Sequence, residues 1–237
     1  MPIAFGTDGW RAVIADEFTF ENVRHVAQAY CDVLATAESR KRGIVVGYDT
    51  RFLSGDFAAV VAQIAADNGF HVFLTDRPTP TPALSWAVHE LGSSGGVMIT
   101  ASHNPPQYNG FKIKGEYAGS ALPELTRHVE ERLRANLDHG RQPPIAGGDQ
   151  EPELFDAHAM YMAQVRKLVD LDVISRSGLR VAVDPMYGAG QGYLREVLTE
   201  AGIEAEEIHG EVNPGFGGMA PEPIKKNLGE LMHKVPS

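Results

Sequence analysis

Short runs of β-branched residues alternate with segments of helical periodicity along the first half of this sequence. The runs "GIVVGYD" and "FHVFLTD" are typical of strands, and the segment from Ser54 to Gly69 between them repeats apolar residues at helical spacing. A proline-opened helix and a third strand, "SGGVMITASHNP", continue the pattern. Strands that alternate with helices across short loops form βαβ units, so the pattern predicts a mainly parallel sheet.

A polar segment divides the chain of 237 residues, a length that suits two domains. Residues 141–153 are rich in Gly and Pro and lack periodicity, which indicates a linker. Residues 1–140 are therefore predicted to form a three-layer α/β/α domain, and residues 154–237 a second α/β domain. The second unit offers only two strands and three helices, too few to cover a sheet on both faces, so we expect it to be incomplete.

Individual elements follow from the same patterns. Thr19 is a predicted N-cap for a helix that begins at Phe20. In the second unit, "LRVAVDP" and "IEAEEIHG" are predicted strands. Helices are predicted near 154–169 and 191–201, with another from Ile224.

Composition limits the partners and the compartment. The net charge of −10 argues against broad nonspecific binding to nucleic acid, which depends on cationic side chains. No apolar run approaches the roughly 18 residues of a membrane span, and the N-terminus does not resemble a signal peptide. We therefore expect a cytoplasmic protein with neither nucleic acid nor membrane as a partner. Cys31, the only cysteine, is expected to be a buried small hydrophobe.

The stretch "ITASHNPPQYNGFKIKG" places a serine directly after a predicted apolar strand. In an open α/β sheet, ligands bind at the carboxyl ends of the strands. A hydroxyl held there by a proline-braced turn suits a nucleophile or a covalently modified residue, with Ser102 as the candidate. The alternative is a serine that only hydrogen-bonds its own turn.

Two lysines follow the loop. Strand alternation predicts Lys112 and Lys114 on one face of the sheet, with Phe111 and Ile113 on the other. Two cations that face a hydroxyl suggest a phosphate site, although a solvated sheet face would show the same pattern.

A serine hydrolase is a weaker interpretation of the loop. His103 directly follows Ser102, and adjacent residues rarely align for proton transfer. No G-x-S-x-G elbow surrounds the serine either.

Three further stretches allow structural predictions. In "YDTR", Asp49 and Arg51 are predicted to form an ion pair that braces the serine loop. "DRPTPTPAL" is interpreted as a rigid connection rather than as pocket lining. "DPMYGAGQG" resembles a phosphate-binding turn but lacks G-x-G-x-x-G, which argues against a nucleotide site.

Taken together, five segments in this order resemble the α-D-phosphohexomutases: "FGTDGWR", "VVGYDTR", "TASHNP", "YNGFKI" and "NPGFGGMAPEP". This superfamily includes phosphoglucomutase, phosphomannomutase and phosphoglucosamine mutase. The resemblance covers domain I and part of domain II, and it makes "DPMYGAGQG" a structural turn of domain II.

The resemblance implies a mutase that interconverts hexose 1-phosphate and hexose 6-phosphate through a hexose 1,6-bisphosphate. By motif position, Ser102 would be the phosphoserine, and His103 and Lys112 beside it would assist proton transfer or hold phosphate. Arg11 would face the same pocket. With Lys114 on the face of Lys112, these cations would offset the charge of roughly −1.5 to −2 on a phosphoserine.

The resemblance also implies one Mg²⁺, held by an oxygen of the Ser102 phosphate and by three aspartates of a D-G-D-A-D-R type loop. No D-x-D-x-D occurs in this sequence, and "DLD" at 170–172 is interpreted as a helix end. We therefore expect an N-terminal portion of a mutase.

Two functional alternatives remain open, namely a phosphoglucosamine mutase and a noncatalytic phosphate- or protein-binding module. The expected partners are a phosphorylated hexose and either further copies of the chain or the C-terminal domains.

Overall fold

A six-stranded mixed sheet forms the centre of the N-terminal unit. The computed structural model describes residues 3–6, 9–144 and 150–235. The strands of this sheet are β1 (Trp10–Val13), β2 (Ile44–Tyr48), β3 (Val72–Thr75), β4 (Gly95–Ile99), β5 (Tyr108–Gly115) and β6 (Glu153–Phe155). Their order is β1-β5-β4-β2-β3-β6. Strands β4, β2, β3 and β6 pair in parallel, whereas β5 is antiparallel to β4 and β1. The mainly parallel sheet is confirmed.

Helices cover both faces of this sheet, which confirms the three-layer arrangement. They are α1 (Phe20–Leu34), α2 (Ala37–Arg42), α3 (Ser54–Asp67), α4 (Thr81–Glu90), α5 (Pro123–Asp138) and α6 (Ala157–Leu168). The larger core lies between one face and helices α1, α3 and α5. On the other face α4 packs against a smaller cluster and α6 lies beside it. Across the described ranges we find no helix long and apolar enough to cross a bilayer.

Local signals in the sequence explain several of these elements. The Thr19 hydroxyl accepts a hydrogen bond from the amide of Asn22 at 3.2 Å, which confirms the N-cap of α1. Phe111 and Ile113 of β5 are buried in the larger core, as the alternation predicts. Cys31 is also buried there, and this burial raises the pKa of its thiol far above the usual value.

Residues 153–155 differ from the prediction of a helix near residue 154. They form β6, in which Leu154 lies opposite Leu74 and Phe155 packs edge-on against Phe73. The helix begins only after Asp156, whose carboxylate caps it by accepting from the amide of Ala159 at 2.9 Å. These residues pair in parallel with the edge of β3, although the Leu154 side chain stays 65% exposed. The domain division at residue 154 stays a prediction, and residues 145–149 of the predicted linker lie outside the described residues.

The second unit contains a two-stranded parallel sheet, β7 (Arg180–Val183) and β8 (Glu204–Glu207), as predicted. Helix α8 (Tyr193–Glu200) connects these strands, and a small core joins it to them. A short helix, α7 (Leu171–Ser175), precedes β7, and a 3₁₀ turn (Phe216–Gly218) follows β8. The last helix, α9 (Gly229–Lys234), begins later than the predicted Ile224.

Candidate active site

The loop between β4 and β5 presents Ser102 to solvent at the carboxyl end of β4. The serine is exposed and has a φ of 61°, in the left-handed region that costs an L-residue about 1–2 kcal/mol. Its amide donates to the hydroxyl of Thr100 at 3.0 Å. Strain of this kind persists only where the surrounding structure enforces it.

The Arg51 side chain is the main support of this loop. It is fully buried, with 0% of its side chain exposed. Its two terminal nitrogens donate to four backbone carbonyls at 2.7 to 3.0 Å, those of Ser102, Asn104, Pro105 and Tyr108. The planar, five-donor guanidinium suits this task, because lysine has only three donors at one point.

Asp49 holds Arg51 in place, which confirms the predicted ion pair. The carboxylate accepts from Arg51 Nε at 3.2 Å and from the hydroxyls of Ser54 and Thr100 at 2.7 and 2.5 Å. Burial raises the pKa of Asp49, and the charge of Arg51 and these hydrogen bonds oppose that shift. Burial lowers the pKa of Arg51, and the nearby charge of Arg11 acts in the same direction.

Ser102 and His103 line a cleft with a volume of about 380 Å³. His103 Nδ1 lies 3.4 Å from the Ser102 hydroxyl oxygen, at the long end of the hydrogen-bond range. The described residues of both units contribute to the remaining walls, which are Asp49, Thr50, Thr79, Pro80, Thr81, Met98, Thr100, Pro185, Gly188, Ala189, Gly190, Phe216, Pro221 and Pro223.

Two of the predicted cations lie close to this loop. Arg11 Nη1 donates to Asn104 Oδ1 at 3.1 Å, which ties β1 to the loop. Lys112 is 6% exposed and lies opposite Met98, a residue of the cleft wall. Arg11 lies opposite Gly110 in the antiparallel β1–β5 pair, so alternation puts Arg11 and Lys112 on the same face of the sheet.

Lys114 lies farther from the Ser102 loop. It is opposite Gly96, because β5 runs antiparallel to β4 and carries its later residues away from the carboxyl edge. Lys114 lines a separate groove of about 630 Å³ between α4 and α6, with Trp86 and Tyr161 among the other lining residues. Ser102 and His103 therefore line the cleft, and Arg11 contacts their loop through Asn104. Neither Arg11 nor Lys112 is among the described residues that line the cleft, and Lys114 lies in a different groove.

The interpretation of "DRPTPTPAL" as a connection alone was incomplete. Thr79, Pro80 and Thr81 form part of the cleft wall. Gly188 and Gly190 of "DPMYGAGQG" line the cleft from the second unit. The available signal was topological, because each segment follows the carboxyl end of a strand, β3 or β7, where ligand sites gather.

Two contacts join the second unit to the end of β2. The hydroxyl of Thr50 donates to the carbonyl of Tyr187 at 2.8 Å. The guanidinium carbon of Arg51 lies 5.0 Å from the centre of the Phe216 ring.

The expected Mg²⁺ site requires a cluster of oxygen ligands such as carboxylates. Among the residues that the structure describes, no group of three or more His, Cys, Asp or Glu side chains could hold a metal ion. These residues alone therefore do not form the Mg²⁺ site that the resemblance implies.

Comparison with protein families gives two matches in chain order. The model for phosphoglucomutase/phosphomannomutase, α/β/α domain I, matches residues 2–139. The model for domain II of the same family matches residues 159–237. Together the two matches span most of the chain.

Curated relatives and solved structures agree with these matches. The chain is 31% identical over 233 residues to a phosphoglucomutase/phosphomannomutase of Thermococcus kodakarensis, covering 98% of this chain and 50% of that protein. It is 32% identical to a phosphoglucosamine mutase of Desulforamulus reducens, covering 94% of this chain and 50% of that protein. The chain thus spans about half the length of the curated relatives it matches. A Thermus thermophilus structure, provisionally assigned as a phosphomannomutase, superposes with a TM-score of 0.89 at 38% identity, covering 99% of this chain and 52% of that one. The chain belongs to the phosphoglucomutase/phosphomannomutase family.

Proposed function

We propose that this chain carries the phosphoserine of a hexose phosphate mutase, which interconverts hexose 1-phosphate and hexose 6-phosphate through a hexose 1,6-bisphosphate. The observation that carries the proposal is the presentation of the Ser102 hydroxyl. Ser102 has a φ of 61° on an exposed loop at the carboxyl edge of the sheet, with buried Arg51 holding four carbonyls of that loop. Preorganisation of this kind favours transfer of a phosphoryl group.

The proposed reaction has two balanced transfers. First, a hydroxyl oxygen of the hexose monophosphate attacks the phosphorus on Ser102. The bond from phosphorus to Oγ breaks, and Ser102 Oγ gains the proton that the sugar hydroxyl loses. The bisphosphate then reorients in the site, and Ser102 Oγ attacks its other phosphorus. The serine proton ends on the departing sugar oxygen, and His103 Nδ1, at 3.4 Å, is the proposed carrier.

Charge at the site supports a bound phosphate. A phosphoserine carries roughly −1.5 to −2 charge at neutral pH, which nearby cations stabilise. Arg11 and Lys112 are the proposed phosphate-facing cations, with Arg11 linked to the loop through Asn104. Lys114 is a weaker candidate, because it lines the other groove. Mg²⁺, if bound, would take one ligand from the Ser102 phosphate and supply charge stabilisation, with its other ligands outside the described residues.

Glucose and mannose phosphates are the proposed substrates, and glucosamine phosphate is the alternative. Relatives at similar identity carry both kinds of name, a phosphoglucomutase/phosphomannomutase at 31% and a phosphoglucosamine mutase at 32%. A cytoplasmic location and self-association of the chain also stay predictions.

The proposal is tested by conversion of glucose 1-phosphate and mannose 1-phosphate with Mg²⁺ and a trace of the bisphosphate. Ser102→Ala is compared with Ser177→Ala, a control serine whose hydroxyl accepts from Leu179 N within its own turn at 3.3 Å. Intact mass after incubation with the bisphosphate is measured in parallel.

Turnover or phosphorylation that Ser102→Ala abolishes and Ser177→Ala retains would support the proposal. Phosphorylation without turnover would support a phosphoryl carrier that needs further domains. A wild-type chain that shows neither would contradict the proposal and favour the noncatalytic module.

A further inference from the structure

We propose that Phe216 and Arg51 are positioning residues that transmit the position of the second unit to the Ser102 loop. This inference deepens the proposed function and rests on it for its catalytic consequence. The structural coupling that it describes can be tested without any turnover.

The Arg51 guanidinium makes two kinds of contact. The edge, with its N–H donors, holds four carbonyls of the Ser102 loop and the carboxylate of Asp49. The guanidinium carbon also lies over the Phe216 ring, 5.0 Å from the ring centre. An aromatic ring over a guanidinium provides both packing and cation–π attraction, and it restricts the tilt of the plane.

Phe216 is a buried residue in the 3₁₀ turn of the second unit. It is 3% exposed and has a φ of 50°, unusual for a non-glycine residue. The next residue, Gly217, packs on the Tyr187 ring, since a Cβ there would lie 3.0 Å from Tyr187 Cε2. Tyr187 in turn accepts through its carbonyl from Thr50 at 2.8 Å.

Two contacts from the second unit therefore reach adjacent residues at the end of β2, Thr50 and Arg51. A displacement of the second unit pulls on both at once. Because Arg51 holds the carbonyl of Ser102 at 2.9 Å, a tilt of its guanidinium changes where the serine hydroxyl points. A misplacement of about 1 Å in a reacting group can reduce a rate by roughly a hundredfold. A phosphorylated sugar seated against the second unit would thus adjust the loop that acts on it.

The test compares Phe216→Leu, which keeps an apolar side chain but removes the ring, with Phe216→Tyr, which retains the ring. Phe155→Leu is the matched control, because Phe155 packs against Phe73 at the far sheet edge and not in the cleft wall. The first readout is the set of NMR resonances of the Arg51 Nε–H group and of the Ser102 and Asn104 amides. The second is the rate at which hexose 1,6-bisphosphate phosphorylates Ser102.

We expect Phe216→Leu to shift these resonances and to slow phosphorylation by roughly tenfold, within the range known for misplaced reacting groups. Phe216→Tyr should keep the resonances and the phosphorylation rate close to those of the wild type, and Phe155→Leu should change neither. Unchanged Ser102 and Asn104 resonances in a folded Phe216→Leu variant would overturn the inference. If that variant does not fold, Thr50→Val is measured instead, and unchanged resonances there would overturn it equally.

The outcomes separate this inference from the proposed function. Shifted resonances with no phosphorylation of any variant, wild type included, would contradict the phosphoserine role and support the coupling. Normal phosphorylation in every variant with unshifted resonances would contradict the coupling and support the phosphoserine role.

Discussion

Asp49 and Arg51, two residues apart at the end of β2, form a buried ion pair with 3.2 Å between Oδ2 and Nε. The pair does not stand alone, since Arg51 also holds the Ser102 loop and Asp49 receives the hydroxyl of Thr100. One short strand end therefore sets the backbone of the loop that carries the candidate phosphoserine.

Arg51→Lys is expected to lower the free energy of unfolding by about 3 kcal/mol, because it breaks a buried pair and releases loop carbonyls. Urea unfolding measures the change. Arg77→Lys is the control, since the Asp76–Arg77 pair is about half exposed at the arginine and surface pairs contribute under about 1 kcal/mol. Equal losses for the two variants would contradict the role assigned to Arg51.

Thr100→Val is expected to cost about 1–2 kcal/mol of stability and to slow phosphorylation of Ser102. Valine keeps the shape but loses the hydroxyl that donates to Asp49 and accepts from the Ser102 amide. Thr126→Val, which removes a buried hydroxyl bonded to Pro123 O at 3.0 Å on α5, is the control. It should lose similar stability and phosphorylate normally. An unchanged rate in Thr100→Val would show that the loop does not need this hydroxyl.

Ser102→Gly is expected to be more stable than Ser102→Ala by about 1 kcal/mol, because glycine adopts a positive φ without the Cβ clash that serine and alanine both suffer. The φ of Ser102 is 61°. Both variants lack the hydroxyl, so thermal or urea unfolding isolates the backbone effect. Equal stabilities would mean that Ser102 does not hold this conformation in solution.

The free energy of unfolding is expected to fall as pH rises from about 10 to about 12, because of the Tyr193 phenol. Burial raises its pKa from 10.0 to about 12, so the folded chain keeps the phenol proton that the unfolded chain releases in this window. Its hydroxyl has no hydrogen-bond partner among the described residues. Tyr193→Phe should therefore be at least as stable at neutral pH and lose less stability across this window. Urea unfolding at several pH values checks this, and identical alkaline profiles for the two proteins would contradict it.

Much of the fold was predictable because long periodic segments dominate it. Helix α1, with its Thr19 cap, and the alternating face of β5 follow directly from residue spacing. Strand β6 did not, because three residues show no reliable period and its formation depends on the free edge of β3. The extent of the second unit's sheet depends likewise on pairing that spacing does not specify.

The candidate site was only partly predictable for similar reasons. The Ser102 loop and the Asp49–Arg51 pair lie within short stretches whose residue types indicate their chemistry directly. The contribution of Thr79 and Gly188 to the same cleft comes from strand order, which brings distant loops to one edge. Alternation predicted the face of Lys114 but not its distance from the edge, which the antiparallel direction of β5 determines.

The phosphoserine role of Ser102 is tested most directly by the intact mass of the chain after incubation with hexose 1,6-bisphosphate and Mg²⁺, followed by peptide mapping. We expect a gain of one phosphoryl group, located on Ser102 and absent from Ser102→Ala. An unchanged mass, or a phosphoryl group on another residue that persists in Ser102→Ala, would contradict it.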